Sequence, residues 1–181
     1  MGTSRCLKSG LPNGVGYLEV QHPVLSRCST HREPVTAVLR MFKEGDLLIP
    51  DYQRPSVWSP RQQAEFVGAL LEGGPLPSIF IREVDGPSGF EDELVDGQQR
   101  LTALVACENG EIPAILPSQN KSVWKKDMVW PGWRLSICFP VGRFKSTRAE
   151  AMSLYLAINT KGVPHTEAEL DRVRKMLEQE G

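Results

Sequence analysis

Asp96, Gln98, Gln99 and Arg100 crowd around one glycine in the run Leu94-Val95-Asp96-Gly97-Gln98-Gln99-Arg100-Leu101-Thr102-Ala103-Leu104. These residue types suit an anion with several oxygens, such as a phosphate. Arg100 supplies a planar fork of donors that matches phosphate geometry. Asp96 can hold that fork, a metal-bound water or a ribose hydroxyl. Gly97 admits a positive φ and a close backbone approach. If the run passes from strand through turn into helix, the first-turn amides and the positive end of the helix dipole add to the attraction. A turn with one glycine is a less specific phosphate signal than a glycine-rich loop. The same residues also fit a helix start where Arg100 simply pairs with Asp96.

Two further groups belong with it. Ile49-Pro50-Asp51-Tyr52-Gln53-Arg54-Pro55-Ser56-Val57-Trp58 carries two prolines, which force extended backbone and exclude regular helix. Its large side chains Tyr52, Gln53, Arg54 and Trp58 read as a ligand-facing loop, and Arg54 with Arg100 would make an anion pair if the segments meet. The alternative is a clamp in which Tyr52 and Trp58 cover the core and Arg54 caps a helix. Asn159-Thr160-Lys161-Gly162 is a polar tip at the end of an apolar segment. Lys161 can reach a phosphate there, and Asn159 can orient a ligand or cap a helix.

Helices and strands must position these groups. Val35, Val38, Leu39 and Phe42 recur at helical spacing and predict a helix over 34–44 stopped by Gly45. Ser59, Pro60 and Gln62 form a capping-box start for a helix burying Phe66, Val67, Leu70 and Leu71, ended by Gly73-Gly74. Strands over 78–84 and 91–95, joined by the turn 85–89, predict a hairpin that delivers Asp96 to its end. The helix after Gly97 buries Leu101, Leu104 and Val105 and closes at Asn109-Gly110. Thr147 with Glu150, and Thr166 with Glu169, start two more helices. The last is rich in both charge signs and reads as a solvated face or a partner helix. Residues 1–33 read as a poorly defined N-terminal arm, with one candidate strand at 15–20, and 34–181 as a single domain.

Between 121 and 148 stand seven basic residues and one acid, a net of +6 in a chain whose total is -1. Lys121, Lys125, Lys126, Arg143 and Lys145 are candidate nucleic-acid contacts, because aromatics are interleaved with them. The competing reading is an edge hairpin with core aromatics and edge-protecting lysines, since 134–139 reads as a strand. Cys6, Cys28, Cys107 and Cys138 form no CxxC pair, and Cys6, His22, Cys28 and His31 match no compact zinc spacing, so no metal site is expected. No apolar run reaches the roughly 18 residues of a membrane span, and the first 30 residues lack signal-peptide order. A cytoplasmic protein without membrane contact is the expectation; a partner protein or a homo-oligomer stays open.

Taken in order, the three motif segments resemble the N-terminal domain of GmrSD-type restriction endonucleases. That family's pattern runs from an extended IP-aromatic-QR-x-x-VW segment through DGQQR-hydrophobic-T to INT-x-G-x-P-x-T. Here these stand at 49–58, 96–102 and 158–166. The resemblance implies an α/β (α+β) fold like that of ParB and sulfiredoxin: one domain, a small mixed sheet and flanking helices. It implies nucleoside triphosphate as ligand or substrate, Mg2+ as a companion, hydrolysis or DNA nicking, and a place in anti-phage defence. Under it, Asp96, Gln98, Gln99 and Arg100 are the candidate catalytic residues. Gln53, Arg54, Gly97, Arg100, Thr102, Asn159 and Lys161 are the candidate nucleotide-binding residues. Gln98 stands where sulfiredoxin-like sites carry a reactive cysteine, so thiol chemistry is not implied. The alternative activity is a non-catalytic nucleotide- or DNA-binding adaptor.

Overall fold

The structure, a computed structural model, describes residues 22–85, 92–128, 137–159 and 166–180. The expected strand at 15–20, most of the turn 85–89, and Lys161 with its glycine lie outside the described residues.

A mixed sheet of five strands forms the middle layer, in the order β1 (Ser29–Pro34), β7 (Cys138–Lys145), β3 (Ile79–Glu83), β4 (Asp92–Asp96), β2 (Leu47–Leu48). Alternation along the strands loads both faces. Ile79, Ile81, Leu94, Phe139 and Val141 point into one apolar cluster, whereas Phe80, Val95 and Phe144 point into another. Helices cover each face. On the first lie α2 (Val35–Glu44), α3 (Pro60–Leu71) and α4 (Gln98–Asn109). On the second lie the short α1 (Pro23–Ser26), α5 (Arg148–Asn159) and α6 (Glu167–Gln179). Leu101 and Leu104 of α4 and Met152 and Leu154 of α5 are among the most deeply buried side chains. Burying each such side chain stabilises by roughly 1.5–3 kcal/mol.

Local signals formed the elements they specify. Ser59 accepts from the Gln62 N–H at 3.3 Å while Gln62 returns a bond to the Ser59 N–H at 2.9 Å. Thr166 and Glu169 make the same reciprocal pair. Thr147 and Glu150 do so ahead of α5. The β3–β4 hairpin pairs antiparallel and brings Asp96 to the start of α4. A small second sheet, β5 (Ala114–Leu116) with β6 (Lys121–Val123), lies over α3, and a 3-10 turn (Lys125–Asp127) follows it. Gly68 makes that crossing possible, because a Cβ there would lie 1.7 Å from the Ile115 carbonyl oxygen.

Two expectations need correction. Of the strand expected over 134–139, residues 134–136 lie outside the described residues, and the described strand runs from Cys138 on to Lys145. It is no edge hairpin: β7 lies between β1, which it pairs antiparallel, and β3, which it pairs parallel. An interior strand needs no lysine protection, and Phe139, Val141 and Phe144 are buried on its two faces. The last helix is not a purely solvated face either. Leu170 and Val173 are buried, and α6 docks on α5.

Candidate functional site

The strand–turn–helix junction carries the motif. Gly97 has φ 123°, and a Cβ on it would sit 2.5 Å from Ile79 Cγ2 and 3.5 Å from Arg100 Nη2. Only glycine lets β4 turn into α4 this tightly against β3. Gly97 is also the N-cap of α4, and it has no side chain to cap the first turn. No acid lies in that first turn, so the positive end of the helix is not offset by its own opening residues.

Arg100 and Asp96 meet four residues apart, with Nη2 donating to Asp96 Oδ2 at 2.6 Å and to the Ser78 carbonyl at 3.0 Å. Arg100 is 8% exposed and the Asp96 side chain 17%. Gln99 turns away from the helix axis. Its Oε1 accepts from Ser56 Oγ at 2.9 Å and from the Val57 and Trp58 main-chain N–H groups at 3.1 Å each. Gln53 is buried and its Nε2 donates to the Leu94 carbonyl in the middle of β4. The two motif segments therefore meet, through Gln53 and Gln99. Gln98 and Thr102 are half-buried, and their side chains make no hydrogen bond among the described residues. Gln98 is thus the motif side chain at the helix start that is available to a ligand.

The arginines take different partners. Arg54 lies 3.4 Å from Glu169 of α6, and its main chain donates to the Tyr155 hydroxyl, whereas Arg100 holds Asp96 and Ser78. Asn159 donates to the carbonyl of Tyr155 at 2.8 Å, which caps its own helix. The reading of the loop as wholly ligand-facing does not hold for its aromatics. Tyr52 is fully buried, edge-on to Tyr155 with centroids 5.6 Å apart. Trp58 packs on Phe66 at 5.4 Å. Tyrosine and tryptophan bury more apolar area than any neighbour in that loop, so the core claims them. Burial, followed by the nearby Glu93 carboxylate, pushes the Tyr52 phenol far above its ordinary range.

Sequence reasoning missed Arg172. From α6 its guanidinium donates to the main-chain carbonyls of Asp51, Tyr52 and Gln53, each at 3.1 Å. Arg148 stacks over the Tyr52 ring at 5.5 Å and pairs with Asp51. Together with Arg54–Glu169, these bonds tie the loop to α5 and α6. The one signal in sequence was a last helix rich in both charge signs.

The five candidate nucleic-acid residues fall in two places. Arg143 is held at 2.7 Å by both Glu33 and Asp92, and its side chain is 16% exposed. Those carboxylates, by hydrogen bond and charge, hold its guanidinium protonated above its usual range despite burial. Lys145 pairs with Asp85 at 2.9 Å. Lys121, Lys125 and Lys126 are exposed around the small sheet, away from both. Among the described residues no group of three or more His, Cys, Asp or Glu could hold a metal ion, and no helix is long and apolar enough to cross a membrane. Burial pushes the Cys107 thiol up to about 11, so it is no nucleophile at neutral pH.

No curated protein matches the sequence. Residues 36–129 match the family described as the N-terminal domain of GmrSD restriction endonuclease, a span that takes in the 49–58 loop and the 96–102 motif but not Asn159 or Lys161. The match covers just over half of the chain, and the chain belongs to that family.

Proposed function

We propose that this chain is the nucleotide-binding domain of a restriction-type system, taking a nucleoside triphosphate at the junction of β4 and α4. The observation that carries the reading is the α4 start, with a glycine N-cap, no acid in the first turn, and the Arg100 guanidinium beside Gly97. Phosphate oxygens would lie against the first-turn amides, and Gln98 would reach the same ligand. Arg100 already has a carboxylate partner, so a phosphate would compete with Asp96 for its Nη2 proton.

That competition connects binding to chemistry. An Asp96 carboxylate released from Arg100 is an oxygen donor of the kind Mg2+ takes, and one carboxylate with phosphate oxygens is a usual Mg2+ set. When bound, the ion would neutralise charge on the phosphates. Asp96 would then orient water for attack on a phosphoanhydride. The pairing of Asp96 with Arg100 at 2.6 Å favours a second reading, a binding module without turnover. Equilibrium dialysis with labelled nucleoside triphosphates, followed by assay of released phosphate, decides both. Binding weakened about tenfold or more by Arg100→Ala, a loss of about 1.4 kcal/mol, and also weakened by Gln98→Ala, supports the site. Phosphate release abolished by Asp96→Asn adds hydrolysis. Absence of binding by the wild type overturns the reading.

A further inference from the structure

A cavity of about 370 Å³ opens at the corner of the small sheet, lined by Gly110, Trp124, Lys125 and Lys126. Trp124 is 42% exposed, one of four large hydrophobic side chains left open to solvent among the described residues. Lys125 and Lys126 on the 3-10 turn line it, Lys121 opens β6 three residues before Trp124, and all three are exposed. None of the three lysines makes an ion pair or hydrogen bond among the described residues. From 112 to 126 the chain has these three cations and no acid; Glu111 and Asp127 stand just outside. Another cavity of similar size, about 390 Å³ between α2 and the end of α4, differs in kind. Its cations are already paired, Arg40 with Glu44 and Lys43 with Glu108.

An open indole beside unpaired ammonium groups suits a ligand with flat aromatic rings joined by anions. We propose that this corner binds single-stranded nucleic acid, one base against Trp124 and the flanking phosphates at Lys121, Lys125 and Lys126. Every base has a π-face, so stacking there is tolerant of sequence. Ammonium groups on flexible stems follow a phosphate backbone as point charges, without demanding one geometry. Arg143 and Lys145 take no part, because carboxylates hold both. The surface is separate from the α4 start and does not depend on nucleotide binding there.

The test is fluorescence anisotropy of a labelled oligothymidylate with the full chain across a range of ionic strengths. Wild type should bind at low salt and weaken as salt rises. Lys125→Gln with Lys126→Gln should flatten the log–log salt slope by about 1.4, at roughly 0.7 per phosphate contact on a single strand. Trp124→Ala should weaken binding roughly fivefold to a hundredfold, with Trp124→Phe recovering most of it. Arg40→Gln, at a cation paired with Glu44 beside the other cavity described, should leave the affinity and the slope nearly unchanged. The proposal fails if wild type does not bind at low salt, or if the lysine pair leaves the slope unchanged. It fails also if polyglutamate competes as well as the oligonucleotide and Trp124→Ala has no effect, which would indicate an acidic protein segment instead.

Discussion

An alanine methyl at position 97 would meet Ile79 Cγ2 at 2.5 Å on a backbone held at φ 123°. Strain of about 1–3 kcal/mol at such a φ adds to a similar overpacking cost. Gly97→Ala should therefore lose about 3 kcal/mol in urea unfolding, and a loss under about 1 kcal/mol would show that the turn is not so tightly held. Tyr52 is the opposite case. Its ring is buried, and its hydroxyl makes no hydrogen bond among the described residues. A buried hydroxyl without a partner costs about 1–3 kcal/mol. Tyr52→Phe should match or exceed wild-type stability and leave nucleotide affinity intact; weakened binding would return Tyr52 to the ligand. The types of Asp96, Gly97 and Arg100 were legible because they are unusual together at a helix start. Gln99 as acceptor for the Ser56–Trp58 loop was not, since its partners lie about forty residues upstream and nothing local signals them.

The loop 49–58 owes its place to α6 as much as to α4. Arg172 bonds three successive carbonyls, and hydrogen bonds to charged groups contribute about 1.5–3 kcal/mol each before they share one donor group. Arg172→Ala should raise amide exchange over 51–54 and weaken nucleotide binding, while Arg172→Lys restores only part, because an ammonium cannot reach all three oxygens as a fork does. Unchanged exchange in the loop would show that the clamp does not position it. Capping boxes at Ser59, Thr147 and Thr166 were readable because both partners lie within four residues. The place of β7 was not. Its parallel pairing with β3 joins Val141 to Ile79, and that register is set by the packing of two helical layers rather than by any turn.

At the scale of the molecule, the near-zero net charge hides an uneven distribution. The basic stretch after 120 divides between cations neutralised inside the fold, such as Arg143, and lysines left open at the small sheet. Composition showed the excess; only the sheet order showed which half is available. The α/β class was legible from alternating helical and strand periods, and the family from three spaced motifs, of which the match spans two. What the junction binds is decided most directly by the melting temperature of the full chain with each nucleoside triphosphate, with and without Mg2+. A ligand at a hundred times its Kd stabilises by about 2.7 kcal/mol, which for a chain of this length is roughly 5–10 °C. The expected result is a concentration-dependent rise of that size for at least one triphosphate, reduced in Gln98→Ala, whose side chain makes no hydrogen bond among the described residues. No rise with any triphosphate at millimolar concentration and with Mg2+ would contradict nucleotide binding by this domain.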